Sequence, residues 1–556
     1  MRLLNTNQIS RRIERKLLRS GFFSTATEDK GNCSSEPFAS QDVRDDTEYE
    51  YNRQLLRTTK GTRDFGPIEM RIRRGMLNSI VPCFERHGAV NIDTPLTEMR
   101  CNTTENDKQN GEVRGCSANT SIVMAPKGSD QCEAEQGKAE QQLEGKEVQR
   151  DTLERNVGTE NLKTLFNIED SGSERVSLRF DLTVPFARYL TTHKSGRMKR
   201  YQIGPVFRRD KHRVTRGRYR EFIQCDFDIA GAADRMIAEA ECIRVLSEVF
   251  DALEMPDVFI KVNHRTLLSE IFGVCRIPSG CFERVCSTVD KLDKIGWDSV
   301  CEELKVSRGL SNECVDKIGS YLIRQDSTES NTEYLNALKS DSAIQATDNG
   351  ISCVEDLQLL FELCSAMGIT RRLVKFDPSL ARGLDYYTGV VFEAVVPENN
   401  NALAGGGRYD KLVGSLVAQQ YNIPCVGISI GFERIFNIIE AREKANSVGR
   451  RAPSTQVFVV SPHRGMLKTR LKLAGELWDA GISAEMSYRE DPMFLEQIVY
   501  CEKNGINWAV VVGEDEISKD VVTLRNVQSR HEVKALLNAK NELAGFVFEY
   551  VKFIND

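Results

Sequence analysis

Residues 199–231 decide the fold, and they read KRYQIGPVFRRDKHRVTRGRYREFIQCDFDIAG. From residue 222 onward apolar and polar side chains alternate, which predicts a β-strand with one apolar and one polar face. The apolar face holds Ile223, Cys225, Phe227 and Ile229. The polar face holds Gln224, Asp226 and Asp228. Because core positions rarely carry carboxylates, we expect the polar face to form the floor of a binding site.

The first half of this stretch is strongly basic. From Arg197 to Arg220, 24 residues contain ten Lys or Arg and one acid, Asp210. An antiparallel hairpin would place these guanidinium groups at one end of the acidic floor. Arginine suits phosphate, because its planar fork donates bidentate, always-charged hydrogen bonds. The alternative is a solvated charged hairpin without a ligand.

Two further segments carry polar groups next to predicted strands. Residues 176–184 predict a strand with Asp181 and Thr183 on one face, and Pro185 at a helix start makes Thr183 a candidate N-cap. Residues 381–389 read ARGLDYYTG and lead into a predicted strand at 390–396. The glycines of AGGGRYD that follow, at residues 404–410, permit close approach of a ligand or form a plain turn.

Residues 426–435, VGISIGFERI, predict a strand, a turn and a helix. Arg434 falls in the first helical turn, where the helix dipole disfavours a cation, and an anionic ligand would relieve that conflict. The same residues spell Gly-x-Ser-x-Gly, the nucleophile elbow of hydrolases, with His463 and His531 downstream. That hydrolase interpretation leaves the basic hairpin and the acidic floor without a function.

Length and composition bound the class of protein. The 556 residues correspond to roughly three to four domains. With 75 basic and 81 acidic residues the net charge is −6, so any polyanion must meet a local basic patch. No apolar run approaches the ~18 residues of a membrane helix. The 16 cysteines include no pair at i, i+3, and only six histidines occur, so the sequence predicts no protein-held metal.

Several segments lie outside the predicted cores. The first 27 residues are rich in Arg and poor in acids, which is typical of a mitochondrial transit peptide; a basic disordered tail is the alternative. We therefore assign residues 1–56 to a transit peptide and unstructured spacer. Residues 101–151 are rich in Gln, Glu and Asn and predict a disordered insertion. Residues 256–376 predict a helical insertion.

The C-terminal part predicts a small α/β domain, because strands and helices alternate there. The expected strands are residues 457–460 and 508–512, and the expected helices are residues 467–480 and 494–504. A linker at 441–455 precedes this domain, which we place at residues 456–556.

Together these motifs resemble histidyl-tRNA synthetases of the eukaryotic type, which are class IIa aminoacyl-tRNA synthetases. The family's opening and motif 1 resemble residues 61–67 through 93–95, and motif 2 resembles 207–222. Motif 3 resembles 427–434, and RGLDYYTG at 382–389 is similar to the histidine-specific signature. The C-terminal residues 457–533 resemble the anticodon-binding domain.

The resemblance implies an α+β catalytic domain at residues 57–445, with a class II antiparallel sheet of six strands flanked by helices. It implies that histidine is activated with ATP to histidyl-adenylate and then transferred to the 3′ end of tRNA-His. The implied cofactor is Mg²⁺, and the implied assembly is a homodimer formed through motif 1, with no membrane partner. We expect the mitochondrial matrix as the location; a cytoplasmic form would need another transcript.

The resemblance also assigns residues to roles. Arg208 and Arg382 are the catalytic pair, which would hold the α-phosphate from opposite sides. The ATP-binding set is Arg208, Asp210, Arg218, Phe222, Arg382 and Arg434. The histidine-binding set is Asp181, Thr183, Gln224, Asp228, Tyr386 and Tyr387. A non-catalytic regulatory relative is the alternative, but the retained arginines and tyrosines favour an enzyme.

Overall fold

The computed structural model describes residues 58–100, 165–168, 175–209, 218–323, 330–369, 374–383, 386–397, 401–416, 422–446 and 455–536. The described residues from Thr59 onward belong to one compact unit. The predicted transit peptide, spacer and 101–151 insertion lie outside the described residues, and so does Asp210.

The largest sheet described has eight strands, which are, in order across it, β1 (Val90–Asn91), β5 (Met198–Phe207), β6 (Glu221–Ala230), β11 (Cys425–Gly431), β10 (Asn401–Arg408), β9 (Val390–Val396), β7 (Phe259–His264) and β8 (Val374–Phe376). The inner strands, β5 through β7 in this order, all pair antiparallel. Short β1 and β8 pair in parallel at the two edges. The predicted antiparallel sheet is therefore confirmed, and the edge strands extend it from six to eight.

The hairpin that decides the fold forms between β5 and β6, with Arg200 opposite Asp228 and Gly204 opposite Gln224. Both faces of β6 are buried, although one is polar: Asp226 and Asp228 are 1% and 2% exposed. The apolar face packs into the core, where the Phe227 and Phe84 rings lie 5.7 Å apart. The polar face is thus buried under a site instead of facing bulk water.

A small sheet, β2 (Thr97–Arg100), β4 (Arg175–Leu178) and β3 (Asn167–Ile168), precedes helix α2 (Thr183–His193). The predicted strand 176–184 is therefore too long by several residues. The Asp181 carboxylate accepts a hydrogen bond from Val184 N at 3.1 Å and so caps the helix, whose N-cap position is Leu182. The N-cap prediction for Thr183 is wrong, because Thr183 already lies inside the helix.

Helices α1 (Pro67–Arg86), α3 (Ile237–Ala252) and α12 (Phe432–Asn446) belong to the same core as the sheet. Helix α1 begins with Pro67, whose missing N–H costs nothing in the first turn. Its buried stripe recurs every three or four residues: Ile72, Met76, Ile80, Cys83 and Phe84.

A group of helices lies between β7 and β8 in the chain: α4 (Arg265–Val274), α5 (Phe282–Val289), α6 (Leu292–Glu302), α7 (Asn312–Leu322), α8 (Asn331–Ser340), α9 (Ser342–Gln345) and α10 (Gly350–Ala366). We call these the helical insertion. It begins at Arg265 instead of residue 256, because residues 259–264 form β7 of the large sheet. Short apolar runs do not distinguish strand from helix by periodicity, which explains the difference.

After the short helix α11 (Leu412–Leu416), the C-terminal part contains a separate five-stranded sheet in the order β13 (Ala484–Met486), β12 (Val457–Val460), β14 (Trp508–Val511), β15 (Val521–Asn526) and β16 (Glu532–Leu536). Its helices are α13 (Leu467–Asp479), α14 (Phe494–Asn504) and α15 (Glu514–Ser518). Strand β12 and helix α14 have the predicted bounds, so the α/β prediction is confirmed. Among the described residues, no helix combines the length and apolarity that a membrane crossing requires.

Candidate active site

A cavity of about 470 Å³ opens above the polar face of β6. Its lining includes ten of the residues predicted for the site: Asp181, Thr183, Arg208, Arg218, Phe222, Gln224, Arg382, Tyr386, Tyr387 and Arg434. The structure thus brings together segments that lie more than 200 residues apart in the chain. Asp228 is buried behind this lining, and Asp210 lies outside the described residues.

One end of the cavity is cationic and is formed by Arg208, Arg218, Arg382 and Arg434. Burial and repulsion from the other three arginines lower the pKa of Arg434 to about 10. Its guanidinium donates to the Ala402 carbonyl, which does not neutralise the charge. A cluster of like charges in a cavity is the arrangement that a polyanion would stabilise.

The Arg208 side chain is oriented by the segment before α2. Its Nε donates to the Phe180 carbonyl at 3.1 Å, and its guanidinium lies 4.2 Å from the centre of the Phe180 ring. The Phe222 ring lies on another side, at 5.2 Å. These contacts hold the guanidinium in a fixed direction at the edge of the cavity.

Arg382 is held by carboxylates that sequence reasoning did not single out. Its guanidinium pairs with Glu393 of β9, and its Nε lies 3.9 Å from Asp290 Oδ1, just after α5. Glu393 is the one acid in the otherwise apolar strand VVFEAVV. In the sequence, a single charge within an apolar strand could have indicated Glu393 as a functional residue.

The opposite end of the cavity is anionic and deeply buried. Burial raises the pKa of Asp181, Asp226 and Asp228, for Asp226 to about 7. The side chain of Arg200 is 0% exposed, and its Nη2 lies 2.7 Å from Asp228 Oδ2 and 3.9 Å from Asp226 Oδ2. The same guanidinium donates to the Leu182 carbonyl at 2.9 Å, which ties Asp228 to the loop that carries Asp181. Sequence reasoning missed Arg200, although it faces Asp228 across the hairpin.

Asp228 has a second partner, because the Tyr409 hydroxyl donates to its Oδ1. This contact depends on Gly427 of β11, where an added Cβ would lie 1.8 Å from that same oxygen. Tyr409 belongs to the AGGGRYD segment, whose glycines lie inside strand β10 and not in a turn. The glycine run therefore permits close packing of strands under the cavity.

Tyr386 and Tyr387 form the wall above the acidic floor. Their hydroxyls lie 3.3 Å apart and their ring centres 4.5 Å apart. Burial raises the pKa of both phenols, so both remain neutral donors and acceptors at physiological pH. Gly383 has φ +61°, and a Cβ there would lie 2.4 Å from the Tyr387 ring. The glycine of the 381–389 motif thus admits the tyrosine ring.

The hydrolase interpretation of Gly-x-Ser-x-Gly is wrong. Ser429 lies inside β11, opposite Asp226, and helix α12 begins only at Phe432. Its hydroxyl accepts a hydrogen bond from Gln224 Nε2 at 2.5 Å. His463 accepts from Glu514 N in the C-terminal part. A nucleophile elbow needs the serine on the strand-to-helix turn itself.

Comparisons with known proteins point to one family. The family model described as histidyl-tRNA synthetase matches residues 148–435, and that of an anticodon binding domain matches residues 456–542. A mitochondrial histidine–tRNA ligase of Bos taurus is 41% identical over 488 residues, which cover 86% of this chain and 85% of that protein. A cytoplasmic histidine–tRNA ligase of Takifugu rubripes is 40% identical over 499 residues, covering 86% and 85%.

Among solved structures, histidyl-tRNA synthetase from Nostoc sp. PCC 7120 matches with a TM-score of 0.66 at 25% identity, covering 89% of this chain and 99% of that one. The antiparallel sheet with its arginine-lined cavity is thus the catalytic fold of a class II aminoacyl-tRNA synthetase. Within that class, the chain belongs to the histidyl-tRNA synthetase family. Its activity is that of a histidine–tRNA ligase.

Proposed function

We propose that this single cavity binds ATP at its cationic end and histidine over its acidic floor, and that it forms histidyl-adenylate between them. The observation that carries the proposal is the convergence of four arginines with Asp181 and with Gln224 of β6 on one cavity. A triphosphate complements the arginines, and an α-ammonium group complements buried carboxylates.

The chemistry of the first step requires positioning more than proton transfer. The carboxylate of histidine is already ionised, so it attacks the α-phosphorus in line while pyrophosphate leaves. Arg208 and Arg382 neutralise the charge that develops on the α-phosphate. Arg218 and Arg434 bind the outer phosphates. Asp210, which lies outside the described residues, belongs to the same proposed ATP-binding set. Phe222 stacks on the adenine.

Histidine is recognised by the buried end. Asp181, Thr183 and Gln224 contact the substrate from the cavity lining, and Asp228 contributes negative charge from behind it. Tyr386 and Tyr387 present neutral hydroxyls to the imidazole, whose two nitrogens need one donor and one acceptor. A substrate without those nitrogens would leave buried polar groups unpaired, so it is rejected.

The donor chemistry at the cationic end fits Mg²⁺. Glu393 and Asp290 provide carboxylate oxygens beside the arginines, and Mg²⁺ is usually held by one or two carboxylates together with substrate phosphates. When bound, the ion neutralises phosphate charge. No described group of three or more His, Cys, Asp or Glu residues forms a metal cage by itself.

The second step transfers histidine to the 3′ end of tRNA-His, with residues 456–556 binding the anticodon. We propose a homodimer that buries the motif 1 region. Large apolar side chains exposed there support this assembly: Ile68, Met70, Val90 and Leu96. Mitochondrial location is supported by the basic N-terminus and by the relatives named mitochondrial.

The decisive experiment is ATP–pyrophosphate exchange measured with each of the twenty amino acids. Stimulation by histidine alone supports the proposal, whereas stimulation by another amino acid or by none contradicts it.

Location is tested by fusing residues 1–56 to a fluorescent protein. Mitochondrial fluorescence supports import, and a diffuse cytosolic signal overturns it.

A further inference from the structure

Strand β7 carries two buried polar side chains on one face, Lys261 and Asn263, which are 7% and 1% exposed. Both contact the turn at residues 377–380, which leads into Arg382. The Asn263 amide donates to the Pro378 and Leu380 carbonyls at 3.1 and 2.9 Å. Lys261 Nζ lies 2.7 Å from Asp377 Oδ2. The strand therefore fixes the start of the segment that carries a catalytic arginine.

Asp377 connects Lys261 to the shape of that turn. Its Oδ1 accepts from Ser379 N at 2.9 Å and from Ser379 Oγ at 2.6 Å, while its other oxygen faces Lys261. Its backbone N–H donates to the Val262 carbonyl at 2.9 Å. The carboxylate thus bridges strand β7 and the turn.

Lys261 also pairs with a second carboxylate, which comes from the helical insertion. The partner is Asp293 in the first turn of α6, whose side chain is 39% exposed. Asp290, three residues earlier, lies 3.9 Å from Arg382 Nε. The connection between α5 and α6 therefore reaches the Arg382 segment by two routes, one of them through Lys261.

The pairing of Lys261 with Asp377 and Asp293 requires a charged ammonium group. Burial alone would lower the pKa of Lys261, but Asp377 and Asp293 together raise it, so the ammonium stays charged. Removing the ammonium would leave the mostly buried Asp377 carboxylate without its counter-charge. Removing Asp293 instead would leave the Lys261–Asp377 pair intact and remove only the link between Lys261 and the insertion.

We propose that Lys261 is a positioning residue that makes the placement of Arg382 depend on docking of the helical insertion against the sheet. This inference rests on the proposed role of Arg382 at the α-phosphate. Lys261 itself does not line the main cavity. It lines a smaller neighbouring cavity together with Asp293 and Arg382, which is where the insertion meets the triphosphate end.

The test measures histidine-dependent pyrophosphate exchange and melting temperature for the full chain carrying Lys261→Met. We expect kcat to fall about 10- to 100-fold with the KM for histidine nearly unchanged, because a displacement of about 1 Å at a reacting group costs this much. Lys261→Arg should restore most of the rate. The matched control is Lys339→Met, which removes an exposed ion pair with Glu355 elsewhere in the insertion. It should leave kcat unchanged.

Asp293→Asn removes the link that Lys261 makes between the insertion and the turn, and it serves as the test if Lys261→Met does not fold. We expect it to lower kcat about tenfold without a matching change in melting temperature. In an Arg382→Ala background neither substitution should lower the residual rate further, because both act through Arg382. A normal kcat for Asp293→Asn, or losses that multiply in that background, would overturn the inference.

The inference and the proposed function fail in different ways. Without histidine-dependent exchange in the unsubstituted protein, the proposed function itself fails. If that exchange is present and depends on Arg382 but not on Lys261 or Asp293, only the positioning role is wrong.

Discussion

The two ends of the cavity differ in charge, in exposure and in how their side chains are held. At the cationic end, Arg382 has a side chain that is 46% exposed and pairs with Glu393 at the rim. At the anionic end, the side chains of Arg200 and Asp228 are 0% and 3% exposed and lie within a network of buried partners. One end is more exposed to solvent, and the other is closed.

This difference matches the two proposed substrates. A triphosphate is large, carries several charges and releases pyrophosphate, so its site needs an opening and several cations. Histidine must be distinguished from other amino acids, which requires buried groups that cannot rearrange to suit a wrong partner. If the two ends act separately, a substitution at one end should leave binding at the other end unchanged.

The largest effect is expected at the cationic end. Arg382→Ala should lower pyrophosphate exchange by about 10³-fold or more, because the charge developing on the α-phosphate loses a preorganised partner. The fold and the dimer should persist, since the side chain is half exposed. Arg235→Ala, which removes an exposed arginine outside the cavity, is the control. Near-normal exchange by the Arg382 variant would refute its assignment.

At the anionic end, Asp228→Asn should raise the KM for histidine by about 10- to 100-fold, because it removes the buried negative charge that complements the α-ammonium group from behind the lining. The KM for ATP should change little, because the cationic end is untouched. Steady-state exchange at varied histidine and varied ATP measures both constants. Asp234→Asn, an exposed acid near the end of β6, is the matched control. Equal increases in both KM values would show that the ends are not independent.

A smaller effect is expected at the adenine site. Phe222→Ala should raise the KM for ATP about tenfold, since stacking on a base contributes about 1–3 kcal/mol. Phe222→Leu keeps the apolar contact but removes the ring, so its KM for ATP should lie between that of the unsubstituted protein and that of Phe222→Ala. A rise in the KM for histidine instead would place Phe222 at the wrong end of the cavity.

The smallest effect concerns stability and pH. Burial raises the pKa of Asp226 from its usual 3.8 to about 7, so the folded state holds a proton that the unfolded chain releases between these values. The contribution of this group to stability is therefore present below about pH 4 and is lost as the pH rises through 7. Asp226→Asn cannot ionise. Its melting temperature, relative to the unsubstituted protein, should rise by about 2–4 °C between pH 5 and pH 8. If the difference in melting temperature between the two proteins stays constant from pH 5 to pH 8, the expected ionisation of Asp226 is contradicted.

Local patterns predicted much of the scaffold. The alternation in β6 and the bounds of β12 and α14 follow from neighbouring residues, so they agree with the structure. The strand predicted for residues 176–184 failed, because the Asp181 carboxylate caps α2 and ends the extended segment early. Strand β7 was not predicted, because its pairing partner β9 lies more than 120 residues later in the chain.

The candidate site also contains residues that the sequence indicates and residues that only the structure identifies. Arg208, Gln224 and the two tyrosines stand inside motifs with a recognisable spacing, so the sequence indicates them. Glu393 and Lys261 are single charged residues in ordinary strands, and Arg200 is one of ten basic residues in the stretch 197–220. Their significance comes from partners on other strands and loops, which periodicity does not contain.

By itself the sequence determined which residues carry charge, which strands have a polar face, and the family to which the motifs point. The tertiary structure decided which charges meet: the four arginines at one end of a cavity, the carboxylates beneath the other, and the buried cations that hold them. The physical reason is that alternation and helical spacing are properties of adjacent residues. Electrostatic pairing depends on distance in space, which only the packed sheet fixes.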